Sequence, residues 1–320
     1  MTSRSSVRHQ GMALILVLWV VSLMAIMAGS FALSTHREAG ILSHAHERAK
    51  AMALAEGGVN YAMMMLSLPD PKKRWQADGT PYVWQVAEDA RVRLSILDEG
   101  GKVDLNAAQE QTLKTVLGLA LKNEELAIRL TDTILDWRDP DDLKRAQGAE
   151  AEDYQASKRQ APPQNRNFLI MDELRGVMGM TPELYRKLEG WFTLYTGTDG
   201  LNPAKASREV LMALMGGNAA AVDGYIQQRQ LGTAPALPPL PGMPFGGSSD
   251  AAYTVVAIAE IQGQQGEGVE TTLRRGPGAD GSLFSTLRFK PYSPPVQAAP
   301  PTDPKAESGQ TNPDDYPTTP

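Results

Sequence analysis

One uncharged segment near the amino terminus constrains this chain most strongly. Residues 12–33 read MALILVLWVVSLMAIMAGSFAL, and none of these 22 residues carries a charged side chain. As a helix, such a segment is about 33 Å long, which matches the hydrocarbon thickness of a bilayer, about 30 Å. Arg4, Arg8 and His9 precede it. The excess of positive charge before the segment predicts that the amino terminus stays in the cytoplasm and that the rest of the chain crosses the membrane.

Two interpretations of this segment compete. A cleaved secretory signal peptide is the more common one for an apolar amino terminus, and residues 30–32 (SFA) offer a passable cleavage site. However, the segment is longer than the roughly 7–15 residues of an ordinary signal core. Apolar residues also recur three or four positions apart from Leu42 to Leu66, which predicts a helix that continues beyond the membrane. These features favour a permanent anchor.

Alternating polar and apolar residues predict strands on both sides of a long helical region. They occur at 82–87 and 90–97, and again at 253–261, 268–273 and 283–289. Because two strands alone are only marginally stable, both blocks are expected to join one antiparallel sheet packed against the N-terminal helix. The predicted fold is therefore α+β, with one antiparallel sheet split by a large helical insertion. The alternative is two or three separate domains in series.

Helical spacing fills the interval between the two strand blocks. The best candidates are residues 109–120, 124–137, 172–177, 182–195 and 207–215. A proline-rich composition without periodicity predicts disorder at the carboxyl end. The predicted organisation is a leader at 1–11, the transmembrane and amphipathic helix at 12–68, a sheet domain at 69–98 and 250–290, the helical insertion at 99–232, a Pro/Gly-rich loop at 233–249 and a disordered tail at 291–320.

An acidic segment inside the insertion is a candidate metal site. Residues 136–153 read DWRDPDDLKRAQGAEAED and hold seven acidic against three basic side chains. Carboxylates at this density need water, basic partners or a hard cation, and calcium takes roughly six to eight oxygen ligands. An EF-hand is excluded, because Leu143 and Lys144 occupy positions that require a ligand and a glycine. A solvated acidic loop is the other interpretation, and it is the more common one for an arbitrary acidic run.

The residues before the apolar segment resemble the leader of type IV pilins and type II secretion pseudopilins. In that class a basic leader ends in glycine just before the apolar helix, as residues 8–12 (RHQGM) do here. The resemblance implies cleavage after Gly11 by a prepilin peptidase and N-methylation of Met12. Leu16 stands where most of these proteins carry glutamate. Among the secretion pseudopilins, only the K-type minor subunit typically lacks that glutamate.

The insertion resembles the same K-type subunit. Its motifs are ILDWRDPDD from residue 134, GAEAEDY from 148, PPQNRN from 162 and ELRGV from 173, in the family's order and approximate spacing. That family binds calcium through the acidic stretch. The resemblance therefore implies a structural calcium ion held by Asp136, Asp139, Asp141, Asp142, Glu150 and Asp153. Two alternatives remain open, in which Asp136 caps or pairs locally and Asp142 points to solvent.

The resemblance implies a minor pseudopilin of a type II secretion system. Such a subunit joins the minor pseudopilins I and J at the tip of a short periplasmic pseudopilus, which supports export of folded proteins across the outer membrane. The expected location is the inner membrane of a Gram-negative bacterium, with a single span and a periplasmic C-terminal domain. The prepilin peptidase and the secretion machinery with its exoprotein substrates are the further partners expected.

A membrane-tethered periplasmic protein that binds DNA or another ligand is the rival hypothesis. Residues 173–181 (ELRGVMGMT) resemble half of a helix-hairpin-helix, a module that contacts phosphates. The second glycine of that module is missing, and the chain has 37 acidic against 31 basic side chains, so no nucleic acid is expected. No enzyme activity is expected either, because the chain has no cysteine and all four histidines precede residue 47.

Overall fold

The computed structural model describes residues 10–157, 162–246, 251–276 and 282–292. The α-helices are α1 (Gln10–Leu66), α2 (Glu110–Leu121), α3 (Glu124–Arg138), α4 (Ala151–Ala156), α5 (Pro182–Leu188), α6 (Arg208–Leu214) and α7 (Ala219–Gln230). The strands are β1 (Asp78–Ala87), β2 (Ala90–Asp98), β3 (Val103–Asp104), β4 (Phe192–Thr193), β5 (Ala252–Ile261), β6 (Gln264–Arg275) and β7 (Phe284–Tyr292). Short 3-10 helices cover Glu99–Gly101, Met171–Gly176 and Pro203–Lys205.

The main sheet has the strand order β1-β2-β5-β6-β7, and every pair in it is antiparallel. Strands β2 and β5 lie on either side of the insertion in the sequence, yet they pair with Leu94 opposite Ala257 and Ile96 opposite Val255. Because these side chains are buried, their alternation with polar residues fixes the register of the pair. The predicted α+β fold, with one sheet split by a helical insertion, is confirmed.

Helix α1 has two parts with different surroundings. Its segment Leu14–Thr35 has a mean hydropathy of 2.5 and no buried residue, and it is the stretch of the described helices that is long and apolar enough to cross a membrane. Further along, Ala55 and Val59 are buried against the sheet. Gly58 lets the helix approach closely, because a Cβ there would lie 2.7 Å from Cγ1 of Val92.

The insertion has its own hydrophobic core, separate from the core between α1 and the sheet. Helices α2 and α3 pack together through buried residues such as Leu117 and Leu130. The insertion also contacts the sheet domain through charged side chains. Arg288 of β7 lies 3.3 Å from Glu189 just after α5, and Arg229 of α7 donates a hydrogen bond to the carbonyl of Asp78 in β1.

Several elements of the insertion differ from the sequence-based expectation. Residues 172–177, expected as an α-helix, lie mostly in the 3-10 helix Met171–Gly176. The helix expected at 182–195 ends at Leu188, because the chain then turns and residues 192–193 form a short parallel pair with β3. That pair was not expected, nor were α4 and α7. Of the tail expected at 291–320, the first two residues belong to β7, and the rest lie outside the described residues.

Candidate metal centre

The acidic loop connects α3 to α4, and aromatic side chains pack together at its ends. Asn123 caps the start of α3 by accepting a hydrogen bond from the amide of Leu126, so the helix is well anchored where it begins. At the other end of α3, the buried ring of Trp137 packs against Tyr154 of α4, with ring centroids 5.9 Å apart. Trp137 also stacks on Phe168 at 6.1 Å. These contacts hold the two ends of the loop together.

Asp136 is fully buried and pairs locally, in agreement with the alternative left open for it. Its carboxylate accepts a hydrogen bond from the amide of Arg145 at 3.2 Å, and the Nε of the same arginine lies 3.5 Å away. Gly148 packs directly against the carboxylate, since a Cβ there would lie 1.8 Å from Oδ2. Burial, followed by the nearby charge of Asp139, raises the pKa of Asp136. Asp136 thus fastens the returning chain to α3.

A second group of oxygens, in the loop and in the segment that follows α4, is buried without any hydrogen-bond partner. It comprises both carboxylate oxygens of Glu150, Oδ1 of Asp139 and Oδ1 of Asn165. Burial is the main cause that raises the pKa of Glu150 to about 7, and the charges of Asp136, Asp139, Asp142 and Asp141 add to it. Burial and the charge of Asp141 likewise raise the pKa of Asp139. Buried acceptors without partners are costly, and a hard cation would satisfy them.

Asn165 is a site residue that the sequence-based prediction missed. Its side-chain amide donates to the carbonyl of Asp141 at 3.2 Å and to Oδ1 of Asp142 at 2.8 Å, and its backbone has a φ of 45°. Asp142 is exposed, yet this hydrogen bond attaches it to the site. The signal available was the PPQNRN motif, but 23 residues separate Asn165 from Asp142, so no local spacing links them.

The other predicted ligands are already engaged within the loop. Asp153 accepts from Lys144 Nζ at 2.7 Å and from the amide of Glu150 at 2.9 Å. Its pKa is lowered, first by the hydrogen bond from Lys144. Asp141 is exposed, and its Oδ1 accepts from the amide of Leu143. In the described part of the chain, no three carboxylate or imidazole groups are already arranged to hold a metal ion.

The donor set nevertheless fits a calcium ion, because the oxygens without partners are carboxylate and amide oxygens. Asp139, Glu150 and Asn165 would hold such an ion, and the exposed Asp141 and Asp142 would be available as additional carboxylates. Asp136 and Asp153 would hold the surrounding chain in place without binding the ion, since their oxygens already accept hydrogen bonds. A calcium ion here would neutralise the repelling carboxylates and fix the loop, with no chemical step.

The segment that resembles a helix-hairpin-helix offers few unpaired positive charges. Arg175 lies 3.1 Å from Asp172, and its guanidinium sits over the ring of Tyr185, 4.0 Å from the centroid. Arg166 is paired in the same way with Glu173, at 3.1 Å. Because nearby carboxylates already neutralise these arginines, they have little charge left with which to displace counterions from a phosphate backbone.

Comparison with known proteins finds similarity that includes much of the insertion. A family model described as type II secretion system (T2SS), protein K matches residues 91–197, which include the acidic loop. The type II secretion system protein K of Pectobacterium carotovorum subsp. carotovorum is 27% identical over 203 residues, covering 57% of this chain and 61% of that protein. The protein of the same name from Klebsiella pneumoniae is 25% identical over 227 residues, covering 62% of this chain and 69% of the relative.

The fold is also shared with a solved structure. A chain of the GspK-GspI-GspJ complex from the type 2 secretion system of enterotoxigenic Escherichia coli superposes with a TM-score of 0.50 at 14% identity. The match covers 81% of this chain and 99% of that chain. The family match over residues 91–197 and the relatives show that this chain is similar to type II secretion system protein K, and the solved structure shows that the fold is shared.

Proposed function

We propose that this chain is a minor pseudopilin at the tip of the periplasmic pseudopilus of a type II secretion system. The observation that carries the proposal is the continuous 57-residue helix α1, which is apolar and exposed in its first part and packed on an antiparallel sheet in its second. One helix can therefore serve both as the membrane anchor and as the spine of the folded domain. The matched insertion adds the feature that points to the K-type subunit.

Processing of the amino terminus follows from the same proposal. Gly11 and Met12 lie at the start of α1, so cleavage between them would leave a mature chain that begins with the apolar helix. Leu16 carries no charge. A helix without a carboxylate at that position needs no amine partner inside the membrane, which suits a subunit at the head of a filament. The sheet and the insertion would then stand in the periplasm.

The role proposed for the folded part is recognition and assembly. The solved structure with the same fold is a chain of a complex with GspI and GspJ, and we assign the minor pseudopilins I and J of the same system as partners of this chain. A large insertion at the tip would block the addition of further subunits above it. Calcium in the acidic loop would keep the insertion rigid during export of folded proteins.

One experiment tests assembly and processing together. The full-length chain, tagged at its carboxyl end, is purified in detergent from a bacterium with its complete secretion system. We expect the I- and J-type subunits to co-purify and mass spectrometry to show a mature chain that starts at N-methylated Met12. A chain that starts at Leu33 would contradict the proposed anchor, and recovery without either subunit would contradict the proposed assembly. Deletion of the gene should leave exoproteins in the periplasm.

A further inference from the structure

A small cavity lies where several parts of the molecule meet. It is bounded by the end of α1, the linker that leads to β1, the 3-10 helix Pro203–Lys205 of the insertion, and strands β5 and β6. Its volume is about 120 Å³, enough for several water molecules or one small ion. Arg74, Lys205 and Arg275 line it, and none of its lining residues is acidic. This is unusual in a chain whose net charge is -6.

The two arginines of the cavity have only neutral hydrogen-bond partners. Nε of Arg74 donates to the carbonyl of Leu68 at 2.8 Å. Arg275 donates to the carbonyl of Leu66 and to the hydroxyl of Tyr253, each at 3.4 Å. In the described ranges the hydrogen bonds of both arginines go to carbonyl and hydroxyl oxygens. These contacts use part of the five donors of each guanidinium and leave its charge uncompensated.

Lys205 is the one lining cation with a carboxylate near it among the described residues. Oδ2 of the buried Asp98 lies 3.8 Å from its Nζ. One carboxylate therefore stands against three positive charges from three different segments of the chain. Like charges around so small a space repel one another, and the partly enclosed surroundings screen them less than bulk water would. A bound anion would remove that repulsion.

We propose that this cavity binds a small oxyanion, such as phosphate or a phosphate monoester, between Arg74, Lys205 and Arg275. The planar guanidinium groups match the oxygen geometry of such an anion, and the lysine adds a point charge. Arg275 is exposed, which gives the anion a way in from solvent. Because Lys205 belongs to the insertion and Arg275 to the sheet, the bound anion links the two parts of the molecule.

Another use of the arginines is to cap the last carbonyls of α1 with only water in the cavity, as basic side chains often do at a helix end. The two uses differ in their response to anions. Capping of carbonyls is insensitive to phosphate and does not involve Lys205. An oxyanion site is saturable and depends on the charge of Lys205.

The test is calorimetric titration and thermal melting of the full-length chain in detergent, with inorganic phosphate against sodium chloride at equal ionic strength. We expect saturable phosphate binding and a rise in Tm. Lys205→Met, which keeps most of the aliphatic stem, should weaken phosphate binding at least tenfold. Lys187→Met is the matched control, because it makes the same charge change at an exposed position on α5 and should bind phosphate like the wild type. Glycerol 3-phosphate shows whether a phosphate monoester enters equally well or the free ion is preferred.

Arg275→Gln gives a second, independent variant, with circular dichroism to confirm that both variants are folded. Loss of phosphate binding in either folded variant, together with normal binding in Lys187→Met, supports the site. Two results overturn it. One is the absence of a phosphate-specific signal when phosphate reaches millimolar concentration, about a hundredfold molar excess over the protein. The other is phosphate binding that is unchanged in both Lys205→Met and Arg275→Gln.

Discussion

At the scale of single residues, two buried carboxylates of one loop have opposite environments. Asp136 accepts hydrogen bonds from the chain that returns past it, whereas neither oxygen of Glu150 has a partner. The acidic composition made both of them candidates, but it could not separate them, because the difference depends on which backbone amides reach each carboxylate. Asn165 could not be found at all from local spacing, since its contacts with Asp141 and Asp142 are tertiary.

The environment of Glu150 predicts that the stability of the metal-free protein falls as the pH rises. A glutamate ionises near pH 4.5 when unperturbed, whereas Glu150 does so at about 7. Between these values the folded state binds more protons than the unfolded state, so stability falls as the pH rises through this window. At about 1.4 kcal/mol per pKa unit, the penalty is roughly 3–4 kcal/mol above pH 7. Thermal melting in chelator at pH 5 and pH 8 measures it.

Glu150→Gln should change this behaviour in two ways. In chelator at pH 8 the variant should melt higher than the wild type, because no charge has to be buried. Added calcium should raise the Tm of the wild type and have little effect on the variant, which lacks the carboxylate ligand. The control is Glu152→Gln, an exposed acid on α4, expected to keep the calcium response. A variant at position 150 that melts lower than the wild type in chelator would refute the unpaired environment.

Gly148 offers a steric test of the Asp136 contact. Ala at this position would place its Cβ 1.8 Å from the Asp136 carboxylate, so either the loop or α3 must shift. We expect Gly148→Ala to cost about 2–3 kcal/mol of unfolding free energy, typical of overpacking at a buried site. Gly118→Ala is the matched control. It lies within α2 with open space around it, and should be stabilising by about 0.5–1 kcal/mol. Equal effects of the two changes in urea unfolding would contradict the assignment.

At the scale of elements, hydrophobic periodicity predicted those strands and helices that bury one regular face. The alternation in β2 and β5 marked both strands, although they are far apart in the sequence. The short pair β3–β4 has only two residues in each strand, too few to show a period. Apolar residues continue after Leu188 at near-helical spacing, but Trp191 instead accepts a backbone hydrogen bond from Val103, so tertiary pairing ends the helix.

Helix α7 was missed because it buries little apolar surface, and a buried charge fastens it instead. Its guanidinium at Arg229 donates to the carbonyls of Asp78 and Ala206, and its Nε lies 3.7 Å from the Asp78 carboxylate. Both side chains of the ion pair are at most 8% exposed.

Removing this charge should detach α7 from β1. Arg229→Met leaves the Asp78 carboxylate buried without its counter-ion, for which we expect a loss of about 3 kcal/mol in unfolding free energy. Arg208→Met on α6 is the control, because it breaks a pair with Asp223 in which both side chains are more than half exposed. That change should cost less than about 1 kcal/mol. Urea unfolding measures both, and a loss no larger at position 229 than at 208 would rule out the proposed anchoring.

At the scale of the whole molecule, the two hydrophobic cores make the insertion and the sheet separable in stability. One core belongs to the insertion, and the other lies between α1 and the sheet. Between them run polar links such as the contact of Arg288 with Glu189. The candidate metal centre lies entirely on the insertion side. An ion bound there should therefore stabilise the insertion more than the sheet.

Hydrogen exchange of the full-length chain in detergent tests this division. With calcium, amides of α3, the acidic loop and α4 should be protected. With chelator at pH 8 they should exchange faster, while amides of β5 and β6 keep their protection, because the core under those strands contains none of the proposed ligands. Glu150→Gln should show fast exchange in the loop under both conditions and unchanged exchange in the strands. If calcium protects the sheet as strongly as the loop, the two cores unfold as one unit. If calcium protects neither region, the acidic loop is solvated and holds no ion.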